Sequence, residues 1–394
     1  MEASIQPESV GFSSERLARI PAVMQAYIDR RETGGILALV ERKGKTVFVS
    51  KCGFQDLGMQ TPIAYDSLFR IYSMTKPIIS LGLMMLFEEA AFQLKDPLHI
   101  YLPEFRHVKV LSEDGHRVEP KTAPTILQLL NHTAGMTYGT FGNTPVDKLY
   151  RAANLREPGI NLEEMVGRMA ELPLLYHPGE RWVYSMATSV VGRLIEVLSG
   201  MNLNDYLQQR IFQPLGMRDT TFSVPDEKLP RLMTCYKQTL KKGIAEFDGV
   251  SDSAFRNVTL FRGDGGLVST LKDYLQFSRL VLGQGTLGEV CLIGRKTFDL
   301  MRQNHITQDL MPLDVVEPMP GLGFGLGFSI VMDTALTGKL GSAGELSWSG
   351  MASTTFWVDP AEDLIAILLT QLVPLKRLRL EDDFRTLVYQ ALVG

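Results

Sequence analysis

Strand-like runs stand toward both ends of this chain, and helical periodicity fills the middle. Near the start, ILALVERKGKTVFVS reads as two strands joined at Lys43-Gly44, a hairpin signal. Near the other end, STTFWV and LIAILL are two more strand-like runs, joined through Asp359-Pro360. A helix is predicted from a Ser13 or Ser14 cap through Leu17, Ile20, Met24 and Tyr27, ending before Gly34-Gly35. Another is predicted over the last twenty residues, with Phe384, Leu387, Val388 and Leu392 on its apolar side. Residues 77 to about 220 carry helical spacing, as in SVVGRLIEVLSG and NLNDYLQQRIFQPLGM, broken by Pro/Gly loops. The pattern predicts an α+β fold: one antiparallel sheet built from both chain ends, flanked by terminal helices, with a mostly helical region inserted. The expected division is residues 1–76 with 251–394 for the α/β part and 77–250 for the mostly helical part. No linker or internal repeat interrupts it.

Inside that frame, residues 71–77 read IYSMTKP, with Ser73 and Lys76 three positions apart. About one Ser-x-x-Lys match is expected by chance in a chain of this composition, so context must decide. The chain has two. Ser269-Thr270-Leu271-Lys272 follows GDGGLV, and there Ser269 reads as a helix cap with Lys272 and Asp273 in a water-exposed first turn. The first match instead precedes PIISLGLMMLF, apolar nearly all round and therefore a buried helix. Pro77 would crowd the carbonyl of Ser73 in a continuous helix, so the helix must start or distort there. Ser73 then sits at a helix N-terminus, where free N–H groups and the dipole stabilise negative charge. Lys76, one turn on, reaches its hydroxyl. A lysine in water, with a pKa of about 10.4, is the wrong base at neutral pH, but burial lowers it.

The longer pattern resembles the serine β-lactamase and penicillin-binding-protein-like superfamily, and within it the family VIII carboxylesterases of class C β-lactamase fold. The residues that carry the resemblance are LFRIYSMTKPI, FQLKDPLHIYLPEF, TILQLLNHTAGM, HPGERWVYSMATSVVGRLIEVLSG, IFQPLGMRDTTF and GGLVSTLKDYLQF, in that order over residues 14–390. The resemblance implies Ser73 as nucleophile, Lys76 as its partner and Tyr184, in YSM, as the catalytic tyrosine. It also implies backbone N–H groups of Ser73 and Met351 as oxyanion donors. Two departures matter. Met186 stands where a Tyr-x-Asn motif has asparagine, and Trp348-Ser349-Gly350 stands where Lys-[Ser/Thr]-Gly is expected. A lysine there receives the carboxylate of penicillins, whereas Trp348 offers apolar surface and one N–H. Trp348, Ser349, Gly350 and Met186 are therefore expected to line the site for a small-molecule ester.

The expected activity is hydrolysis of short- to medium-chain carboxylic esters through an acyl-enzyme on Ser73, with weak or no β-lactamase activity and no cofactor. Either neutral Lys76 or a Tyr184 tyrosinate serves as base; the sequence leaves both open. Transfer of the acyl group to an alcohol is the alternative, followed by β-lactamase or D-amino peptidase activity and a non-catalytic sensor. No Gly-x-Ser-x-Gly elbow occurs, which counts against an α/β-hydrolase. His132 and His177 belong to no triad-like motif and read as hydrogen-bonded loop residues; His99, His107, His116 and His305 lack ligand spacing, so no metal site is expected. GLGFGLGF at 321–328 fails the dinucleotide pattern and reads as a strand or loop needing close backbone approach. The loop Met136–Gly142 is expected to line the acyl pocket or to be a mobile surface loop.

A net charge of −4 gives no reason for a nucleic-acid partner, and the small cluster Lys237, Lys241 and Lys242 reads as a solvated turn. The N-terminus lacks a signal-peptide pattern, and no apolar run is long enough to span a bilayer. Three scattered cysteines, Cys52, Cys235 and Cys291, suit reduced thiols, so the expected location is cytoplasmic. Oligomeric state is not legible.

Overall fold

The computed structural model describes residues 5–239, 243–374 and 378–394; Lys241 and Lys242 lie outside the described residues. Its centre is an eight-stranded antiparallel sheet. The strands run in the order Leu322–Phe324, Ser329–Val331, Leu346–Gly350, Thr354–Asp359, Leu364–Thr370, Gly35–Arg42, Lys45–Asp56 and Thr61–Pro62. The two chain ends meet where Gly35–Arg42 pairs with Leu364–Thr370, Ile36 opposite Thr370 and Arg42 opposite Leu364. Both predicted hairpins are present. At the first, Lys43 and Gly44 have φ of 51° and 68°, the left-handed pair that a tight two-residue turn needs.

Every residue of Gly35–Arg42 and Leu364–Thr370 is buried, because both faces of the sheet are covered. Alternation decides which side chain meets which layer. Ile36, Ala38, Val40, Leu364, Ala366 and Leu368 face the terminal helices Arg19–Asp29 and Leu380–Tyr389, through Ile20, Met24, Phe384 and Val388. Leu37, Leu39, Ile365, Ile367 and Leu369 face the other way, into the large core shared with the helical region. The N-terminal helix is interrupted: Ser13 caps a single turn, Ser14–Leu17, and a second helix runs from Arg19 to Asp29. Gly35 opens the first strand, where an added Cβ would lie 2.4 Å from the Phe54 carbonyl oxygen.

The inserted region packs the Thr75–Glu88 helix against Ala187–Ser199. All residues from Thr75 to Leu86 are buried, as the all-round apolar pattern requires. Each buried leucine, isoleucine or methionine contributes roughly 1.5–3 kcal/mol, so this helix is anchored along its whole length. Asn161 and Thr144 form capping boxes that fix where the neighbouring helices start. Toward the end of the stretch expected to be mostly helical, Cys235–Gln238 and Ile244–Asp248 form a small sheet with Leu372–Val373. The glycine-rich 321–328 segment approaches other backbone closely: a Cβ on Gly325 would sit 2.3 Å from the Met301 carbonyl oxygen.

Candidate active site

Ser73 lies on a 3-10 turn, Tyr72–Met74, immediately before the Thr75–Glu88 helix, the distortion that Pro77 demanded. Tyr72 has φ 42°, a left-handed conformation that an aromatic residue adopts only when its surroundings impose it. Those surroundings come from the second Ser-x-x-Lys segment. Phe69 and Arg70 pair with Ser269 and Val268, and Ile71 N–H donates to the Leu267 carbonyl at 3.1 Å. The Tyr274 hydroxyl donates to the Met74 carbonyl at 2.9 Å.

That corrects one sequence expectation. The helix after the second match is not a solvated one: Leu271, Tyr274, Phe277 and Leu280 are buried against the sheet. Thr270 rather than Ser269 is its cap. Ser269 is buried with its hydroxyl 2.8 Å from Thr220 Oγ1, and Asp273 is buried, accepting from Asp219 N–H at 2.7 Å. Only Lys272 faces water, as expected. Helical caps shift by one residue easily, and here pairing of Ser269 with Phe69 took it into a strand.

Lys76 is buried, with 1% exposure, and its Nζ has three partners: Ser73 Oγ at 3.2 Å, Tyr138 Oη at 2.7 Å and the Asp264 carbonyl oxygen at 2.6 Å. Desolvation lowers its pKa to about 7; Asp264's charge pushes up, while Arg262 and Arg156 push down. A neutral amine has two N–H donors and one lone pair. The Asp264 carbonyl can only accept and Tyr138 Oη can accept, which leaves the lone pair for the Ser73 hydroxyl. The Tyr138 and Tyr184 ring centroids lie 5.2 and 4.7 Å from Nζ, and their faces favour the ammonium once a proton arrives.

Tyr184 is 7% exposed and sits in an aromatic cage of Tyr138, Phe141, Trp182, His132 and Trp348. Burial raises its pKa above the usual phenol value, and hydrogen bonding with Ser73, Trp348 and Tyr138 pulls partly back. Trp348 Nε1 donates to Tyr184 Oη at 3.1 Å. Trp348 thus touches the tyrosine directly rather than only filling core beneath its strand. Gly350, at the end of that strand, lies against the segment that leads into the Ser73 turn: an added Cβ would be 2.4 Å from the Ile71 carbonyl oxygen. Met351 follows, its side chain exposed. Met186 is buried at the start of the Ala187–Ser199 helix, two residues from Tyr184.

Ser349 is not brought in by its side chain. The strand's two-residue period turns it away from Trp348's side, and its hydroxyl donates to Thr355 Oγ1 at 3.0 Å. His132 is a buried loop residue with Nδ1 3.2 Å from Ser185 Oγ, held neutral by burial and by Lys76. His177 Nδ1 accepts from Lys121 N–H at 3.2 Å. Two residues at Lys76 had escaped sequence reasoning. Tyr138 belongs to the Met136–Gly142 loop, which carried no motif of its own. Asp264 lies in GDGGLV, and its signal was the strand that runs on to Ser269.

A serine at a helix start, a buried lysine on its hydroxyl and a tyrosine held by a tryptophan, set beside a sheet made from both chain ends, define a serine hydrolase of β-lactamase/transpeptidase-like fold. The chain belongs to the beta-lactamase family, whose model matches residues 20–390. It is 32% identical over 366 residues to an uncharacterized protein of Mycobacterium tuberculosis, covering 90% of this chain and 89% of that one. Esterase EstB of Burkholderia gladioli is 28% identical over 387 residues, 93% of this chain and 94% of its own length. Among solved structures, EstCE1, described as a hydrolase with promiscuous acyltransferase activity, superposes with a TM-score of 0.83 at 26% identity, over 95% of this chain and 99% of that one. Unliganded Simvastatin Synthase (LovD) from Aspergillus terreus shares the fold, with a TM-score of 0.80 at 21% identity over 97% and 100% of the two chains. No helix among the described residues is long and apolar enough to cross a membrane.

Proposed function

We propose that this protein is a serine carboxylesterase that hydrolyses short- to medium-chain esters through an acyl-enzyme on Ser73. The observation that carries the reading is the buried Lys76 Nζ, 3.2 Å from Ser73 Oγ, with its pKa lowered to about 7. Ser73 Oγ attacks the ester carbonyl carbon while its proton passes to the Lys76 lone pair. The ammonium so formed keeps its contacts with Tyr138 Oη and the Asp264 carbonyl. The oxyanion goes to the backbone N–H groups of Ser73 and Met351. Tyr184, kept as a phenol by burial, hands its proton to the leaving alkoxide and is reprotonated from Lys76. Water, deprotonated by the same pair, then releases the acid. Of the two bases left open by the sequence, the depressed lysine and the raised tyrosine favour Lys76. The similarity to EstB and EstCE1 supports the ester class, and cytoplasmic location stays part of the proposal.

The expected substrate series is tested with nitrophenyl esters of increasing acyl length. Turnover that peaks at short or medium acyl groups and disappears in Ser73→Ala supports the assignment; turnover retained in that variant refutes it. A second reading, acyl transfer to an alcohol, is favoured by the aromatic cage around Tyr184, which excludes water more readily than it excludes an apolar alcohol. Adding an alcohol to the same assay separates the two by product: free acid or a new ester.

A further inference from the structure

Beside Lys76, the wall of the site is charged. Asp264, whose carbonyl receives Lys76, carries a buried carboxylate that accepts from Ser189 Oγ at 2.8 Å. Two guanidinium groups reach that one carboxylate, Arg262 Nη1 at 3.4 Å from each oxygen and Arg156 Nη2 at 3.4 Å from Oδ2. Asp264 is the only acidic partner of either arginine among the described residues. The other acids nearby are taken: Glu157 pairs with Arg168 at 2.7 Å and Asp248 with Arg70 at 2.9 Å. With Lys76 neutral, the wall carries one uncompensated positive charge.

The guanidinium groups are also under-used as donors. Arg262 is 17% exposed at its side chain, yet its Nε and Nη2 have no protein hydrogen-bond partner among the described residues. Arg156 is 47% exposed and contributes a single contact. An arginine fork matches a carboxylate with two parallel N–H donors, and Arg262 turns only one corner of that fork to Asp264. Arg262 touches the Asp264 carboxylate, and the Asp264 carbonyl touches Lys76 Nζ, which is 3.2 Å from Ser73 Oγ, so only Asp264 and Lys76 link the guanidinium to Ser73. The line from Lys76 through Asp264 and Arg262 to Arg156 runs from the reacting atoms out to water.

We propose that Arg262 and Arg156 form an anion subsite beside Ser73 that takes the carboxylate of an ester carrying one on its acyl or its alcohol part. The proposal rests on the esterase reading and narrows its substrate class: the apolar wall of Trp348 holds one portion of the ester, and the arginine wall holds the charged end of the other.

The test compares two charged esters with their neutral methyl-ester counterparts, reading phenol release. Phenyl hydrogen adipate carries the carboxylate on the acyl side, and 4-acetoxybenzoate carries it on the leaving group. One charged ester is expected to exceed its neutral counterpart in kcat/KM by about tenfold or more, as one charge-assisted contact supplies. Assayed on the pH plateau where Lys76 is neutral, the preference should collapse in Arg262→Gln and weaken in Arg156→Gln, with the neutral esters changed by no more than a few-fold. Arg156 is half exposed, so its variant reports even where loss of Arg262 impairs folding. Calorimetry of the preferred charged ester with Ser73→Ala protein, alone and combined with Arg156→Gln, measures recognition without turnover. Equal use of charged and neutral esters, or a preference that survives both arginine substitutions, overturns the subsite. Arginine-dependent binding without hydrolysis of any ester contradicts the esterase reading and leaves the subsite standing.

Discussion

Trp348 Nε1 donates a 3.1 Å hydrogen bond to Tyr184 Oη, so the tryptophan of the Trp-Ser-Gly segment holds the tyrosine that faces Ser73. The bond orients the phenol so that its own hydrogen is free for Ser73 or a leaving oxygen. Trp348→Phe keeps the ring and deletes the donor. We expect kcat for a short nitrophenyl ester to fall roughly tenfold, the scale of one lost hydrogen bond of about 1–1.5 kcal/mol, with KM little changed. A fall in KM-dependent binding alone, with kcat intact, would make Trp348 a lining residue only.

The same substitution pattern governs β-lactams. Their strained carbonyl can meet Ser73, but Trp348 stands where a lysine is expected and Met186 where an asparagine is. Loss of one charge-assisted contact forfeits about 1.5–3 kcal/mol, roughly ten- to hundredfold. Nitrocefin is therefore expected to be opened far more slowly than a short nitrophenyl ester is hydrolysed by the same preparation. Comparable kcat/KM values would contradict the reading of these two positions.

The pH profile follows from Lys76. Its folded-state pKa of about 7 means that the reactive neutral form accumulates as pH rises, so kcat/KM should climb through about pH 7 and level off above it. A histidine would give a similar midpoint, but His132 is buried, neutral and bonded to Ser185 rather than to Ser73. His132→Gln should leave the midpoint in place. Arg262→Gln should move it upward, because a charge that disfavours the ammonium has gone. A midpoint that vanishes with His132 would assign the base to the histidine.

Stability should carry the same signature. The unfolded chain holds the Lys76 proton up to about 10.5, whereas the folded chain releases it near 7. Between those values the unfolded state binds more protons, so stability rises with pH, by about 1.4 kcal/mol per unit for a single such group. The contribution is fully present above about 10.5 and lost as pH falls to about 7. Urea unfolding of the native chain and of Lys76→Met at pH 7.5, 8.5 and 9.5 should show native stability gaining on the variant at each step. A constant difference would mean that Lys76 stays protonated in the fold.

The fold was largely legible because its sheet announces itself twice, in ILALVERKGKTVFVS and in STTFWV with LIAILL, and both hairpins occur where the turn residues put them. Ser73 and Lys76 were legible for a different reason: the helix that follows is apolar on every side, and Pro77 forces a break at the serine. Ser269 misled because a cap residue and a strand residue look alike when pairing with a distant segment, Phe69–Arg70, decides between them. Tyr138 and Asp264 stayed hidden since each meets Lys76 only through chain folding across 62 and 188 positions. Ser349 shows the limit of copying a motif: adjacent strand residues point to opposite faces, so Trp348 enters the site and Ser349 leaves it.

The central claim is that Ser73, activated by Lys76, is the nucleophile. The most direct measurement is peptide mass spectrometry of protein treated with a fluorophosphonate, run in parallel on the native chain, Ser73→Ala, Ser269→Ala and Lys76→Met. The account predicts one adduct, on the peptide holding Ser73, absent from Ser73→Ala, strongly slowed in Lys76→Met and retained in Ser269→Ala. An adduct on Ser269, or ester turnover with no adduct on Ser73, would contradict it.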